Sequence, residues 1–372
     1  MNIAFISSAL SSEKPEGTES FDFFAGLLSG IVRSAHDSGH RVSVFVPKKE
    51  GTSSDQADLL ADVLREPGAF DAFVIAPFEV EPVKKLILDL LGRDSAQPPC
   101  DGEGKAPTKP IVFVDKVVNL SEVQEKINPR YVVQNVTCGN EQGGYKAANI
   151  LYRTFKRSGL PKEGDRLRFL IIRGLEGDED RVKGFRNYIK ENLATCSVDE
   201  AKSPDLLNFT RGGAREWMEE QLILLRNGQM SKFGSLDDRT PMGVFACNDE
   251  MALGIRGIIA DEYRKVRESL SLATNTSTEI DFGEAEKMLK ELYFFQNIRI
   301  VGFDGIASAV ELIGVSDGGK DTRFRQDRWL VGTIRAEAEA QSKKAIKWVD
   351  ILRKNPERAI LGGDVVETRV VQ

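Results

Sequence analysis

Residues 246–254 read ACNDEMALG, and residues 300–305 read IVGFDG. Each stretch begins in an apolar run of strand length and continues into the start of a helical pattern. Asn248 and Asp304 follow the two apolar runs, at the point where a strand gives way to a helix. Ligands of open α/β sheets bind beyond the carboxyl ends of the strands. The two stretches therefore predict strands with polar side chains at the edge where a ligand binds.

The same alternation of short apolar runs and helix-length amphipathic stretches covers the whole chain. Several runs are apolar throughout and rich in Val, Ile and Phe, which is typical of strands buried on both faces of a parallel sheet. Helices are predicted over 21–37 and 139–157, each ending at a Ser-Gly pair. The alternation indicates βαβ units, and so an α/β fold with parallel sheets. The predicted strands are residues 3–6, 42–46, 72–76, 111–114, 131–133, 167–172, 243–246, 298–302, 330–334 and 365–370.

Bulk composition limits the architecture and the class of function. The chain has 372 residues, of which 41% are hydrophobic and 29% charged, and its net charge is −6. This length exceeds what one hydrophobic core normally serves, so two lobes are expected. The acidic balance argues against direct nucleic-acid binding, which needs a basic surface. No apolar run has the length of a membrane span, so no membrane insertion is expected.

Three stretches interrupt the pattern and are predicted to be insertions between core elements: residues 93–109, 264–291 and 314–328. Residues 314–320 match GxxxxGK, which suggests a phosphate loop. We reject that motif because Asp321 stands where Ser or Thr would hold magnesium, and because the stretch follows a helix. With two histidines and no visible nucleophile–base pair, the chain is not expected to be an enzyme.

Five segments together resemble the ribose- and galactose-binding proteins, whose fold the effector domains of LacI-type regulators share. Two of them are the stretches quoted first. The other three are FVDK at 113–116, NEQGGYKAA at 140–148 and RVKGF at 181–185. All five occur in the family's order, and they span nearly the whole chain apart from the three insertions. The chain is therefore similar to type I periplasmic sugar-binding proteins.

This resemblance implies two Rossmann-like lobes with parallel sheets, joined by a three-strand hinge. It assigns residues 1–137 and 337–362 to the N-terminal lobe. It assigns residues 138–336 and 363–372 to the C-terminal lobe. The ligand is expected in the cleft between the lobes, where it favours the closed state by hinge motion.

The resemblance also implies which residues contact the ligand. Asp, Asn and Arg pair with adjacent sugar hydroxyls through planar groups, and aromatic rings stack on the apolar faces of a sugar. Lys116 replaces an arginine of the family and lacks its guanidinium fork, which implies a ligand that differs from ribose. Arg335 and Glu337 lie where the family often has a glutamine contact, and an Arg or Glu there favours a charged or substituted ligand. The predicted ligand-binding residues are Ser7, Phe23, Phe24, Asp115, Lys116, Arg181, Phe209, Asn248, Asp304 and Arg335.

Structural roles compete with some of these assignments. Asn248 and Asp249 are both favoured helix-capping types, and the resemblance makes Asn248 the ligand contact and Asp249 the cap. Arg181 follows the acidic run 176–180, so an exposed surface arginine is the alternative. One of Phe23 and Phe24 is expected to belong to the core.

Two functional hypotheses follow. In the first, the chain is a solute-binding protein for ABC-type uptake or chemosensing, which binds a sugar or sugar derivative and has a membrane transporter or receptor as partner. In the second, it is a cytosolic ligand sensor related to LacI-type effector domains, without a DNA-binding domain of its own. No cofactor or metal is predicted: there is no CxxC, and His36 and His40 are expected on the solvated surface.

The sequence is consistent with two cellular compartments. The first strand begins at residue 2 with no signal peptide before it, which predicts the cytoplasm. A start assigned too late, or a leader already removed, would place the chain in the periplasm. The four cysteines are widely spaced, which fits a reducing compartment slightly better. Cys247 lies in an apolar run and is expected to be a buried free thiol.

Overall fold

The computed structural model of the chain describes residues 1–8, 22–47, 53–93, 107–159, 167–174, 178–193, 197–201, 210–229, 231–236, 240–275, 281–313, 329–359 and 363–372. These residues form two compact units. The described residues up to Gly139, together with Glu337–Glu367, make the first unit. Those of Asn140–Ala336, together with Thr368–Gln372, make the second. The chain passes from one unit to the other at Gly139-Asn140, Ala336-Glu337 and Glu367-Thr368.

Strands and helices alternate along the chain. The strands are β1 (Asn2–Ile6), β2 (Arg41–Phe45), β3 (Ala72–Ile75), β4 (Lys109–Asp115), β5 (Tyr131–Cys138), β6 (Arg168–Ile172), β7 (Ser197–Ala201), β8 (Met242–Ala246), β9 (Ile298–Asp304), β10 (Leu330–Arg335), β11 (Asp364–Val366) and β12 (Arg369–Val371). The α-helices are α1 (Asp22–Asp37), α2 (Ser53–Arg65), α3 (Val80–Leu91), α4 (Leu120–Lys126), α5 (Asn140–Arg157), α6 (Glu179–Asn192), α7 (Arg211–Arg226), α8 (Asp249–Asn275), α9 (Phe282–Gln296), α10 (Ala307–Ile313) and α11 (Ala338–Lys354).

Each unit contains one six-stranded sheet, and the two sheets have equivalent strand orders. The order is β2-β1-β3-β4-β5-β11 in the first unit and β7-β6-β8-β9-β10-β12 in the second. Every pair in the first sheet is parallel. In the second sheet β12 runs antiparallel to β10, and the other pairs are parallel. The predicted α/β fold with parallel sheets is confirmed, and β4 and β9 occupy the same place in the two sheets.

Helices cover both faces of the first sheet, which explains why its strands are apolar throughout. Ile3 and Phe5 of β1 belong to a core that includes residues of α1 and α11. Ala4 and Ile6 belong to the core on the other face, with residues of α2, α3 and α4. The side chains on both faces of the sheet are therefore buried, as in other sheets that helices cover on two faces.

Two strands differ from the prediction. The pattern does not predict β7, because its sequence SVDEA is polar and the strand lies at the edge of its sheet. The predicted strand 365–370 is two strands, of which β11 pairs with β5 and β12 pairs with β10. Residues 363–367 thus belong to the first unit rather than the second, because the chain crosses between units only after Glu367.

The predicted insertion 264–291 is mainly helical, since it forms the end of α8 and most of α9. The insertion 314–328, and residues 94–106 of the insertion 93–109, lie outside the described residues. None of the helices in the described ranges combines the length and the apolar character needed to cross a membrane.

Candidate functional site

Two aspartates end equivalent strands in a strained backbone conformation. Asp115 is the last residue of β4, and Asp304 is the last residue of β9. Their φ angles are 74° and 113°, in the region that favours glycine. Holding a non-glycine residue in such a sparsely populated region costs about 1–3 kcal/mol, and strain of this kind clusters at ligand sites. Both aspartates belong to the predicted ligand set.

Arg181, on α6, joins the ends of several elements of the second unit. Its guanidinium lies over the Phe303 ring, 3.9 Å from the ring centroid. Nε donates to Asn140 Oδ1 at 3.1 Å, and Nη2 lies 3.3 Å from Asp304 Oδ1. Nη1 donates to the Cys247 carbonyl. The side chain is 12% exposed, so Arg181 is not the surface arginine that the neighbouring acidic run allowed.

Glycines let α5 and α6 approach closely enough to place Arg181 beside Asn140. A Cβ at Gly144 of α5 would collide with the Arg181 carbonyl oxygen. A Cβ at Gly184 of α6 would collide with the Glu141 carbonyl oxygen. The backbones of the two helices therefore touch where the site is built, and larger residues would separate them.

The start of α8 is capped by Asn248 rather than by Asp249. Asn248 Oδ1 accepts a hydrogen bond from the Met251 N–H at 2.9 Å, so Asn248 caps the helix. Asp249 is fully buried. It accepts hydrogen bonds from the Ile306 N–H at 2.9 Å and from the Thr333 hydroxyl at 2.6 Å. The expectation that Asp249 is the cap is wrong, because its carboxyl group binds β10 and the loop after β9 instead.

Asp249 carries an electrostatic cost next to the site. Burial raises the pKa of the Asp249 carboxyl well above 3.8, and the negative charge of Asp304 raises this pKa further. Gly302 permits the arrangement, since a Cβ there would collide with Asp249 Oδ1. A neutral Asp249 is therefore favoured while Asp304 carries the charge that pairs with Arg181.

We expect Asp249→Asn to become more stable relative to the wild type as pH rises. A carboxyl whose folded pKa is raised binds its proton more tightly in the folded state, so the contribution of Asp249 to wild-type stability falls as pH rises above 3.8. The amide cannot ionise, and it can donate to Thr333 while accepting from Ile306. Urea unfolding of both proteins over a pH series measures the difference. The free energies of unfolding of the two proteins should coincide at acidic pH. A difference between them that stays constant at all pH values would contradict the assignment.

The corresponding edge of the first sheet holds Ser7, Asp115 and Lys116. Ser7 follows β1 and is fully buried, and its N–H donates to the Phe45 carbonyl at 3.0 Å. The Lys116 ammonium donates to the carbonyl of Phe78 and lies 5.7 Å from the centroid of that ring. The carboxyl ends of β1, β3 and β4, which are neighbours in the sheet, thus supply this group of residues.

Two buried amide side chains hold the loops at this edge. Gln56 donates to the Ala76 carbonyl and accepts from the Phe78 N–H, both at 2.7 Å. Asn135 donates to the Val118 carbonyl at 2.7 Å and accepts from the Val118 N–H at 3.3 Å. Neither residue is in the predicted site, because a single amide in an amphipathic helix or in a buried strand belongs to no recognisable pattern.

Comparisons with known proteins bear on this architecture. No protein-family model matches the chain, and no protein of curated function is similar to it in sequence. A periplasmic solute-binding protein of an ABC transporter from Actinobacillus succinogenes 130z, solved with bound D-allose, is similar in structure. The match covers 100% of this chain and 97% of that one, with 18% identity and a TM-score of 0.61. The chain has the fold of periplasmic solute-binding proteins.

Other solved structures with this periplasmic-binding fold also match the chain over its full length. A solute-binding protein from Agrobacterium vitis, bound with α-D-tagatopyranose, matches 100% of this chain and 94% of its own, with 15% identity and a TM-score of 0.62. One from Bacillus halodurans C-125, with bound myo-inositol, matches 100% and 94%, with 14% identity and a TM-score of 0.58. At these identities the similarity concerns the fold alone.

The remaining candidates in this periplasmic-binding fold have distinct surroundings. Phe24 packs against the core of the first unit, and the Phe23 ring contacts it edge-on with centroids 5.3 Å apart. This leaves Phe23 as the better candidate for stacking on a ligand. Arg335 is exposed at the end of β10, where it pairs in register with Asp304. Phe209 lies outside the described residues.

The cysteines and histidines do not build a metal site in the described part of the chain. No group of three or more His, Cys, Asp and Glu side chains there could hold a metal ion. Cys247 is a buried free thiol, as predicted, and burial raises its pKa. The expectation of a solvated His40 is wrong, since its Nε2 lies 2.9 Å from Asp350 Oδ1 and its side chain is 10% exposed. Cys100 and Cys196 fall outside the described residues.

Proposed function

We propose that the chain binds a sugar or sugar derivative at the carboxyl ends of its strands and releases it unchanged. The observation that carries this proposal is the pair of strained aspartates, Asp115 and Asp304, at equivalent strand ends of two sheets with the same order. An ionised carboxylate accepts several hydrogen bonds and so pairs with adjacent hydroxyls. Backbone strain persists where surrounding structure enforces it, and function is the usual reason.

The neighbours in fold support this ligand class, because their bound molecules are D-allose, tagatopyranose and myo-inositol. All three are compact rings or chains of hydroxyl groups without charge. In this chain we assign hydroxyl binding to Asp115, Asp304 and Arg181. Lys116 is engaged with the Phe78 carbonyl, so we assign it to holding the β3–α3 loop. Exposed Arg335 would contact a substituent or an acid group of the ligand.

We further infer that the three chain crossings act as a hinge and that a membrane transporter or receptor is the partner. Proteins of this fold that serve ABC transporters support that partner class.

The binding-only role is supported by the position of the histidines. His36 and His40 precede β2, at the amino edge of the first sheet, whereas Asp115 ends β4 at the opposite edge. Neither imidazole therefore lies where it could act as a general base on a ligand held by the strand-end aspartates.

A thermal-shift screen tests the proposal, with D-allose, D-tagatose, D-fucose, D-arabinose, myo-inositol and several sugar acids as probes. A ligand present at 100 times its Kd stabilises the folded state by about 2.7 kcal/mol, which is a visible shift. Asp304→Asn should lose the shift, while the free variant still unfolds cooperatively. Mass spectrometry of the probe after long incubation should recover it unchanged. A panel without any shift, or a reproducible product, would reject the proposal.

A further inference from the structure

Helix α9 presents an exposed apolar stripe on the surface of the second unit. Phe282, Leu289 and Tyr293 are 83%, 55% and 42% exposed. They are spaced seven and then four residues apart, close to whole turns at about 3.6 residues per turn, so they share one face of the helix. We call these three residues the α9 stripe. Clustered exposed apolar side chains of this kind mark interaction surfaces more often than isolated ones do.

The opposite face of α9 fixes the helix to the protein. Phe294 and Phe295 are buried, and the Trp329 indole N–H donates to the Phe295 carbonyl at 2.8 Å. Glu291 pairs with Arg226 of α7 at 3.0 Å. The carboxyl-terminal half of the helix is therefore held by its inner face, and Leu289 and Tyr293 are exposed on the side away from that contact.

Charged residues lie on one flank of the α9 stripe and not on the other. Glu286 and Lys290, one turn apart, pair at 3.0 Å along the first flank. The second flank carries Ala285 and Leu292, both partly buried. A partner with charge of a single sign would meet both an acid and a base on the first flank, so this surface does not suit such a partner.

The same arrangement is complementary to itself in the antiparallel direction. When two α9 helices pair about a two-fold axis near Met288, each flank faces the same flank of the other copy in reverse order. Glu286 then faces Lys290 of the second copy, and the reverse pair forms as well. Phe282 comes within about one residue rise, ~1.5 Å along the axis, of Tyr293 of the second copy. Leu289 comes within two residue rises, ~3 Å along the axis, of Leu289 of the second copy. One register thus satisfies the apolar and the charged residues.

We propose that the α9 stripe is the contact between two copies of this chain, which dimerise by antiparallel pairing of their α9 helices. A contact made by one helix from each copy is small, so the dimer forms and dissociates with protein concentration. Nothing in this contact involves the ligand residues of the strand ends. Its failure would therefore leave the proposed sugar binding unaffected.

Sedimentation velocity from low micromolar to near-millimolar protein tests the proposal. The wild type should shift from monomer to dimer over this range, and Leu289→Glu should remain monomeric with unchanged thermal unfolding. Val32→Glu, which places a charge at an exposed apolar position of α1 in the first unit, should dimerise like the wild type. A wild type that stays monomeric throughout, or a Leu289→Glu variant that dimerises normally, would overturn the proposal.

A charge reversal tests the antiparallel register. Glu286→Lys alone, or Lys290→Glu alone, brings like charges face to face and should weaken dimerisation several-fold. The double variant Glu286→Lys/Lys290→Glu restores opposite charges within each helix and between copies, so its dimerisation should return towards the wild-type level. A double variant whose dimerisation is weakened by the sum of the two single effects would reject the antiparallel arrangement.

Discussion

Gly184→Ala is expected to destabilise the second unit by about 3 kcal/mol or more, at the upper end of the cost of overpacking. The reason is that the added Cβ meets the Glu141 carbonyl oxygen, which is backbone and cannot rotate away. Either α6 moves off α5 or a helical backbone distorts. Because Arg181 lies one turn before Gly184 and contacts Asn140 at the start of α5, ligand affinity should fall together with stability. Thermal unfolding and isothermal titration with the sugar found in the screen measure the two effects.

Gly212→Ala is the matched control for this substitution. Gly212 is also a helical glycine of the second unit, in the first turn of α7, and a Cβ there meets nothing within 4 Å. Alanine is the better helix former by up to about 1 kcal/mol, so this variant should be as stable as the wild type or slightly more stable. If Gly184→Ala behaved like Gly212→Ala, the close contact between α5 and α6 would not be the constraint that we infer.

The strands that could be predicted from the sequence are those whose burial on two faces makes them apolar. β1 and β3 are examples, because helices cover both faces of their sheet. β7 has no such signal, since an edge strand can keep polar side chains without loss. The division of 365–370 into β11 and β12 was equally invisible. The predicted strand continues through residues whose pairing partners lie in two different sheets, and pairing is a property of the tertiary structure.

The candidate site was predictable where a strand end supplies a charged residue, as for Asp115 and Asp304. Their backbone strain could not be predicted, since it depends on the φ angles that the fold imposes. The capping of α8 by Asn248 rather than Asp249 could not be predicted either. Both residue types cap helices well, and which one does so depends on where the first helical turn begins. Gln56 had no signal, because a polar residue in a helix is expected to face solvent.

We expect Arg181→Ala to reduce sugar affinity by about 30-fold or more. In the proposed complex Arg181 donates to ligand hydroxyls, a hydrogen bond to a charged group contributes about 1.5–3 kcal/mol, and each 1.4 kcal/mol is tenfold in affinity. The substitution removes the guanidinium that lies 3.3 Å from the Asp304 carboxylate. The negative charge of Asp304 also acts on Asp249, whose pKa it raises. Titration calorimetry with the sugar from the screen measures the loss.

Arg181→Lys separates charge from geometry at this position. The ammonium keeps the positive charge beside Asp304 but lacks the fork that binds Asn140 and the Cys247 carbonyl at the same time. Its affinity should therefore fall between those of the wild type and Arg181→Ala, while its unfolding temperature stays closer to the wild-type value. Arg215→Ala removes an arginine of the same unit from an exposed ion pair with Asp261, and it should change neither property measurably. Wild-type affinity in Arg181→Ala would remove this arginine from the site, and equal losses in Arg215→Ala would show that the effect is general to the unit.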